Sequence, residues 1–165
     1  MTAPASDAPT RRVLREFSRS LPMLLLQAHQ SVMTEFRPLL RAHGITEQQW
    51  RVLRAISDTS DLRLGALADA TLISAPSLTR IVRALEQRGL VKRRVERADN
   101  RAASVRITAA GTRFIDRVAP ESEACYRAIA RRFGADDLES LYALLTRLPQ
   151  IATNRSEKSS WKRQP

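Results

Sequence analysis

Residues 74–111, SAPSLTRIVRALEQRGLVKRRVERADNRAASVRITAAG, change their hydrophobic rhythm midway, and that change decides the fold. Leu78, Ile81, Val82 and Leu85 recur at i, i+3, i+4 and i+7, the spacing of a helix that buries one apolar stripe. Pro76, Arg80, Arg83 and Gln87 then take the opposite face. Ser74 is the expected N-cap, and Pro76 is tolerated in the first turn, where its missing N–H has no partner to lose. Gly89 supplies the left-handed stop. Beyond it the period drops to two: Leu90 and Val91 lead into Lys92, Arg93, Arg94 and Val95, and Val105 and Ile107 alternate with Ser104 and Arg106. A cationic turn joins these strands, and Thr108 caps a new helix through its hydroxyl. The order helix, strand, basic turn, strand, helix start is that of a helix followed by a winged hairpin.

Charge placement suggests what such a unit meets. The stretch holds nine Lys or Arg against three acids, a net +6 within a chain of net charge +11, whereas residues 21–61 hold four of each. The basicity is local. A basic helix face beside a basic hairpin is a footprint for the phosphate backbone of double-stranded DNA.

From Leu62 to Gly111 the sequence resembles the winged helix-turn-helix of the MarR regulators. Asp99, Arg101, Val105, Thr108 and Gly111 match that family's D-x-R, three residues, V-x-[LI]-T-x-x-G wing signature, with Ile107 where Leu is more usual, a volume-conserving change. Within the family, residues 24–54 (LLLQAHQSVMTEFRPLLRAHGITEQQWRVLR) are most similar to regulators of homoprotocatechuate and related aromatic-acid degradation operons, and the resemblance covers most of residues 21–153. It implies a mainly α fold with a small β-wing, a homodimer on a palindromic operator, and release by a small hydroxylated aromatic or heteroaromatic carboxylate. The DNA-binding set is then Ser74, Pro76, Ser77, Thr79, Arg80 and Arg83 on the helix with Arg94, Arg97, Asp99 and Arg101 on the wing, Asp99 orienting the wing arginines.

The rest of the chain supports this head. Residues 1–18 combine prolines with few apolar anchors and read as a disordered basic tail; residues 154–165 read as a second one, in which Trp161 has no explanation. Residues 19–60 and 112–153 form the expected helical dimerisation region around a DNA-binding region at 61–111. Leu21 to Ala42 reads as a helix with Leu25, Ala28, Val32, Phe36 and Leu39 on one face and a distortion near Pro38, ended by Gly44. Thr46 and Gln49 form a capping box ahead of Trp50, Val52, Leu53 and Ile56. Leu64 to Ala70 and the turn Thr71 to Ile73 complete the helix-turn-helix, with Leu62 placed to pair with the wing. A long helix runs from Thr108 towards Phe133 with a kink at Pro120; after Gly134, Asp136 caps a last helix striped by Leu138, Leu141, Tyr142, Leu145 and Leu148. Apolar stripes at both ends of so short a chain point to a second copy.

Five glycines and 5% aromatic residues suit a helix-rich protein, and 43% apolar content suffices for a core. No apolar run has the length of a membrane span and no signal peptide is evident, so the expected location is the cytoplasm. The lone Cys125 is expected to be a buried hydrophobe. His29 and His43 offer no metal-ligand spacing, and no nucleophile, base and orienter cluster appears, so neither catalysis, metal nor cofactor has a candidate site. Met23, Gln27, Trp50 and Arg51 are the candidate ligand residues: Trp50 for stacking, Arg51 for a carboxylate, Gln27 for a ring hydroxyl. Trp50 reads equally as core, and Arg51, opposite the Val52, Leu53 and Ile56 stripe, equally as a residue facing water. A ligand-independent architectural DNA binder and a basic protein-interaction module remain as other readings.

Overall fold

In a computed structural model, which describes residues 16–59, 61–94 and 103–151, a 3-10 turn at Phe17–Arg19 leads into helices α1 (Leu21–Ala42) and α2 (Glu47–Ser57). There follow β1 (Leu62–Arg63), α3 (Leu64–Thr71), α4 (Ala75–Gln87), β2 (Val91–Arg94), β3 (Ser104–Ile107), α5 (Ala109–Phe133) and α6 (Ala135–Arg147). The strands form one antiparallel sheet in the order β1-β3-β2, with Leu62 opposite Val105 and Val91 opposite Ile107. The fold is mainly α with a small β-wing. Arg97, Asp99 and Arg101, and residues 1–15 and 154–165 of the expected tails, lie outside the described residues.

The chain divides into two units, residues 1–34 and 35–165. In the first, the N-terminal part of α1 leaves Leu21, Leu24, Leu25, Leu26 and Val32 exposed, so Leu25 and Val32 of the anticipated stripe are uncovered in a single chain. In the second, Phe36, Leu39 and Leu40 are buried, as are Val52, Leu53 and Ile56 of α2, Leu67 of α3, Leu78, Val82 and Leu85 of α4, Val105 of β3 and Val118 of α5. Each such side chain contributes roughly 1.5–3 kcal/mol by leaving water. The periodicity therefore locates the core of the winged helix-turn-helix, with Ile81 only half-buried at its edge. No residue of α6 is buried, and Tyr142 and Leu145 of its stripe are exposed.

Element ends follow local chemistry. Gly44 and Gly89, both left-handed (φ 61° and 68°), close α1 and α4 in the same way. Gly44 N–H donates to Arg41 O and Ile45 N–H to Leu40 O; Gly89 N–H donates to Glu86 O and Leu90 N–H to Leu85 O. The Thr46–Gln49 capping box forms in both directions at 3.1 and 3.2 Å. Thr108 Oγ1 accepts the Gly111 N–H at 3.0 Å and donates to Gly89 O at 2.7 Å, tying the start of α5 to the end of α4.

Four expectations need correction. Ser74 stands at the N-cap of α4 but makes no side-chain cap bond; Pro76 at the second helical position has no N–H to offer it. Asp136 does not cap α6: Gly134 takes that place, and Asp136 and Asp137 sit in the first turn, where carboxylates favour the positive end of the helix. Thr71 is helical, so the turn begins at Leu72. Cys125 is half-buried and its thiol donates to Glu35 O at 3.4 Å. Pro38 and Pro120 do not divide their helices. Among the described residues no helix is long and apolar enough to cross a membrane.

Candidate nucleic-acid interface

Helix α4 is held by its apolar stripe, which packs towards α2, α3 and β2 and leaves one polar face outward. Pro76, Thr79, Arg80, Arg83 and Gln87 are exposed on it, with Ser77 half-buried. Thr79 Oγ1 donates to Ala75 O at 2.9 Å, and Arg80 reaches back to Ser77 Oγ at 3.3 Å. Arg83 makes no side-chain hydrogen bond among the described residues, so its guanidinium fork is available to an outside acceptor. Beside this face Lys92, Arg93 and Arg94 of β2 are exposed. Glu86 accepts the Arg93 N–H at 3.0 Å, covering part of the strand's open edge from the helix.

The C-terminal end of α4 and the turn that leads into it are fastened by contacts that the local sequence does not signal. At its C-terminal end Arg88 donates to Gly44 O at 3.0 Å and lies 5.5 Å over the Phe114 ring, which Arg117 also approaches at 5.5 Å. His43 meets Phe114 edge-on at 6.3 Å and pairs through Nε2 with Glu121 at 2.9 Å. Arg88 thus ties α4 to the end of α1 and to α5 across 44 positions of sequence. Just before that turn, buried Thr71 donates its hydroxyl to Leu67 O at 2.6 Å, and its carbonyl accepts Arg51 Nη1 at 3.2 Å. Arg51 Nη2 is paired with Glu47 at 2.9 Å. A cation at the C-terminus of α3 satisfies an orphan carbonyl and the negative end of the helix. Arg51 therefore neither faces bulk water alone nor holds an idle fork, since two of its five N–H donors are engaged.

The remaining ligand candidates lie apart in sequence. Met23 is half-buried and Gln27 exposed, both on the N-terminal part of α1; Trp50 is half-buried on α2. One turn beyond Trp50 stands Arg54, exposed, with no side-chain hydrogen bond or ion pair among the described residues. It lies close enough to Tyr126 of α5 for its charge to act on the phenol: burial, and then Tyr142 of α6, push the Tyr126 ionisation above its ordinary value, and Arg54 opposes them. Phe36 packs edge-on against Tyr126 at 5.0 Å. The Trp50-to-Arg54 spacing was visible in the sequence; the partner on α5, 72 positions later, was not. Beside Tyr126, burial first and then Glu35 and Glu121 raise the Cys125 thiol, which suppresses the thiolate a redox sensor needs.

Comparison with known proteins agrees with the geometry. A family model described as MarR family matches residues 43–102. The chain is 34% identical over 138 residues to the homoprotocatechuate degradative operon repressor of Escherichia coli, covering 84% of this chain and 93% of that protein. It is 35% identical over 132 residues to the HTH-type transcriptional regulator FarR of Neisseria gonorrhoeae, covering 80% and 90%. Among solved structures, NadR in complex with 4-hydroxyphenylacetate superposes with a TM-score of 0.75 at 34% identity, over 82% of this chain and 98% of that one.

Proposed function

The chain belongs to the MarR family of transcriptional regulators, and we propose that within it this protein is a repressor that holds a palindromic operator as a homodimer and leaves it on binding a small hydroxylated aromatic carboxylate. The observation that carries the DNA reading is the outward face of α4, with Arg80 and Arg83 exposed beside the cationic strand β2. In this reading residues 61–111 are the DNA-binding region. Ser74, Pro76, Ser77, Thr79, Arg80 and Arg83 enter the major groove, Arg94, Arg97 and Arg101 follow the backbone, and Asp99 orients the wing arginines. Residues 19–60 and 112–153 make the dimer, which accounts for the leucines left exposed on α1 and α6. Selection from a random duplex library tests this: a repressor enriches a palindrome with half-sites one helical turn apart, whereas an architectural binder or a protein-interaction module enriches none.

The effector class rests on similarity to NadR, a protein solved with 4-hydroxyphenylacetate, and on the chemistry around Trp50. We assign the carboxylate to Arg54, not to Arg51, because Arg54 is uncommitted while Arg51 serves Glu47 and Thr71. Trp50 offers a stacking face one turn away, and Tyr126 a phenol for the ring hydroxyl. A 100-fold preference of the ligand for the DNA-free conformer corresponds to about 2.7 kcal/mol, within reach of one charge-assisted clamp and a stacked ring. The test is DNA release by a panel of hydroxylated aromatic acids, with Trp50→Ala, Arg54→Ala, Arg51→Ala, Gln27→Ala and Met23→Ala beside wild type. Arg54→Ala and Trp50→Ala are expected to need at least roughly tenfold more acid for release. Release of both at the wild-type concentration removes this site, and no release of wild type by any acid removes the ligand class.

A further inference from the structure

Among the described residues of 61–111, Leu72 is the one large apolar side chain that is exposed, and at 89% it is more exposed than the other large apolar residues so left, which lie outside that region. The exposed leucines of α1 and α6 have an occupant in the proposed dimer. Leu72 has none there, because it sits in the turn between α3 and α4.

Its backbone sharpens the oddity. Leu72 is the only non-glycine residue with positive φ among the described residues (φ 53°, ψ 37°), a left-handed conformation that crowds a leucine's Cβ and that glycine adopts freely. The turn is fixed in that shape from both sides. Thr71 and Ile73 are buried, Ile73 N–H donates to Ala68 O at 3.2 Å, and Arg51 holds the Thr71 carbonyl. Two apolar methyls are therefore presented rigidly to solvent, two residues before the N-cap of α4 and next to the exposed Ser74, Ala75 and Pro76. Three Cα–Cα steps of about 3.8 Å limit their distance from the first turn of α4, the part of a reading helix that goes deepest into the major groove.

We propose that Leu72 is a specificity residue that packs against the C5-methyl of a thymine at the edge of each operator half-site. This rests on the DNA-reading role of α4 proposed above. The apolar feature that the major groove offers is the thymine methyl, and a leucine, with no hydrogen-bonding group, discriminates by filling or failing to fill against it. Strain retained in a rigid turn is expected where a side chain is used.

The test takes the duplex selected by wild type and replaces each thymine in turn by deoxyuridine, which lacks only the methyl. Binding is measured for wild type, Leu72→Ala and Leu72→Gly. At one symmetry-related thymine pair the replacement should weaken wild type about fourfold per half-site, the value of one buried methyl, and leave both variants unaffected. Leu72→Gly, which relieves the backbone, should melt no lower than Leu72→Ala, so that its lost affinity is not lost folding. Equal deoxyuridine effects in wild type and variants at every position, or wild-type affinity of Leu72→Ala on the unmodified duplex, overturn the contact. If wild type selects no sequence at all, the proposed function falls first and this contact with it.

Discussion

Gly111, the last residue of the wing signature, is predicted to be the least replaceable glycine in the described chain. A Cβ built there would lie 2.1 Å from Leu90 O and 2.7 Å from Ile107 Cγ1, both far inside van der Waals contact. The first of these atoms is backbone and already committed, since Leu90 O accepts the Thr108 N–H at 3.1 Å, and the adjacent Gly89 O accepts the Thr108 hydroxyl at 2.7 Å. To admit one methyl group, the start of α5 must leave the end of α4 by an ångström or more, and those bonds go with it. Two hydrogen bonds at about 1 kcal/mol each and overpacking at about 1–3 kcal/mol are offset by about 1 kcal/mol of improved helix propensity. The net cost of Gly111→Ala is about 2–4 kcal/mol, a large share of a stability that is usually about 5–15 kcal/mol. Urea unfolding at matched protein concentration measures it as a lowered midpoint with an unchanged slope. Gly65→Ala is the control, because nothing lies within 4 Å of its Cβ and its φ is ordinary; it should be neutral or stabilising by up to about 1 kcal/mol. A Gly111→Ala midpoint equal to wild type would refute the reasoning, showing that the helix start yields without losing its attachment.

Two further outcomes separate reading from positioning on α4. Arg83→Ala should cost about 1–3 kcal/mol on the selected operator and far less on unrelated DNA, measured by fluorescence anisotropy on both; equal losses would reassign Arg83 to the phosphate backbone. Arg88, fastened to Gly44 O and the Phe114 ring, should act without touching DNA. Arg88→Ala is then expected to weaken operator binding while leaving the salt slope unchanged, whereas a slope reduced by about one would reveal a direct phosphate contact.

What could be read from the residues was whatever local chemistry decides. The stripe of Leu78, Val82 and Leu85, the glycine stops at 44 and 89, the Thr46–Gln49 box and the Thr108 cap each depend on neighbours within a few positions, and each has the expected form apart from the half-buried Ile81. Leu62 against the wing was also legible, because an isolated apolar residue before a helix has little else to pair with. The misses share another cause. Ser74 makes no cap bond, with one of its two usual donors removed by Pro76, and Asp136 lost its cap to Gly134, whose φ of 100° suits the bend better than any side chain. Arg88 on Gly44, Arg51 on Thr71 and Arg54 beside Tyr126 join positions 20 to 72 apart, and no periodicity marks which arginine on an exposed face will find a partner.

The difference between Arg51 and Arg54 carries a structural consequence for helix α2. Three residues apart on a helix, their side chains stand only about 60° apart around the axis and about 4.5 Å apart along it, yet they serve different neighbours: Arg51 donates to the end of α3, and the charge of Arg54 acts on Tyr126 of α5. The same short element therefore carries the proposed carboxylate anchor and the donor that holds the Thr71 carbonyl, one residue before the strained Leu72 and three before the N-cap of α4. Packed interiors shift as units, because a gap of even part of an ångström forfeits contact energy along the whole buried face of Val52, Leu53 and Ile56. A rotation of α2 that improves the grip on a ligand must carry Arg51 with it, and Arg51 is paired to Glu47 on the same helix, so it has little freedom to lag behind. In the proposed mechanism the turn before α4 is displaced through the Thr71 carbonyl, so Arg51→Ala should leave ligand affinity near wild type yet weaken ligand-driven DNA release; equal release by both would break this link. On this proposal the two arginines of α2 divide the work: Arg54, without a side-chain partner among the described residues, meets the carboxylate, and Arg51, bound to Thr71, passes the motion on.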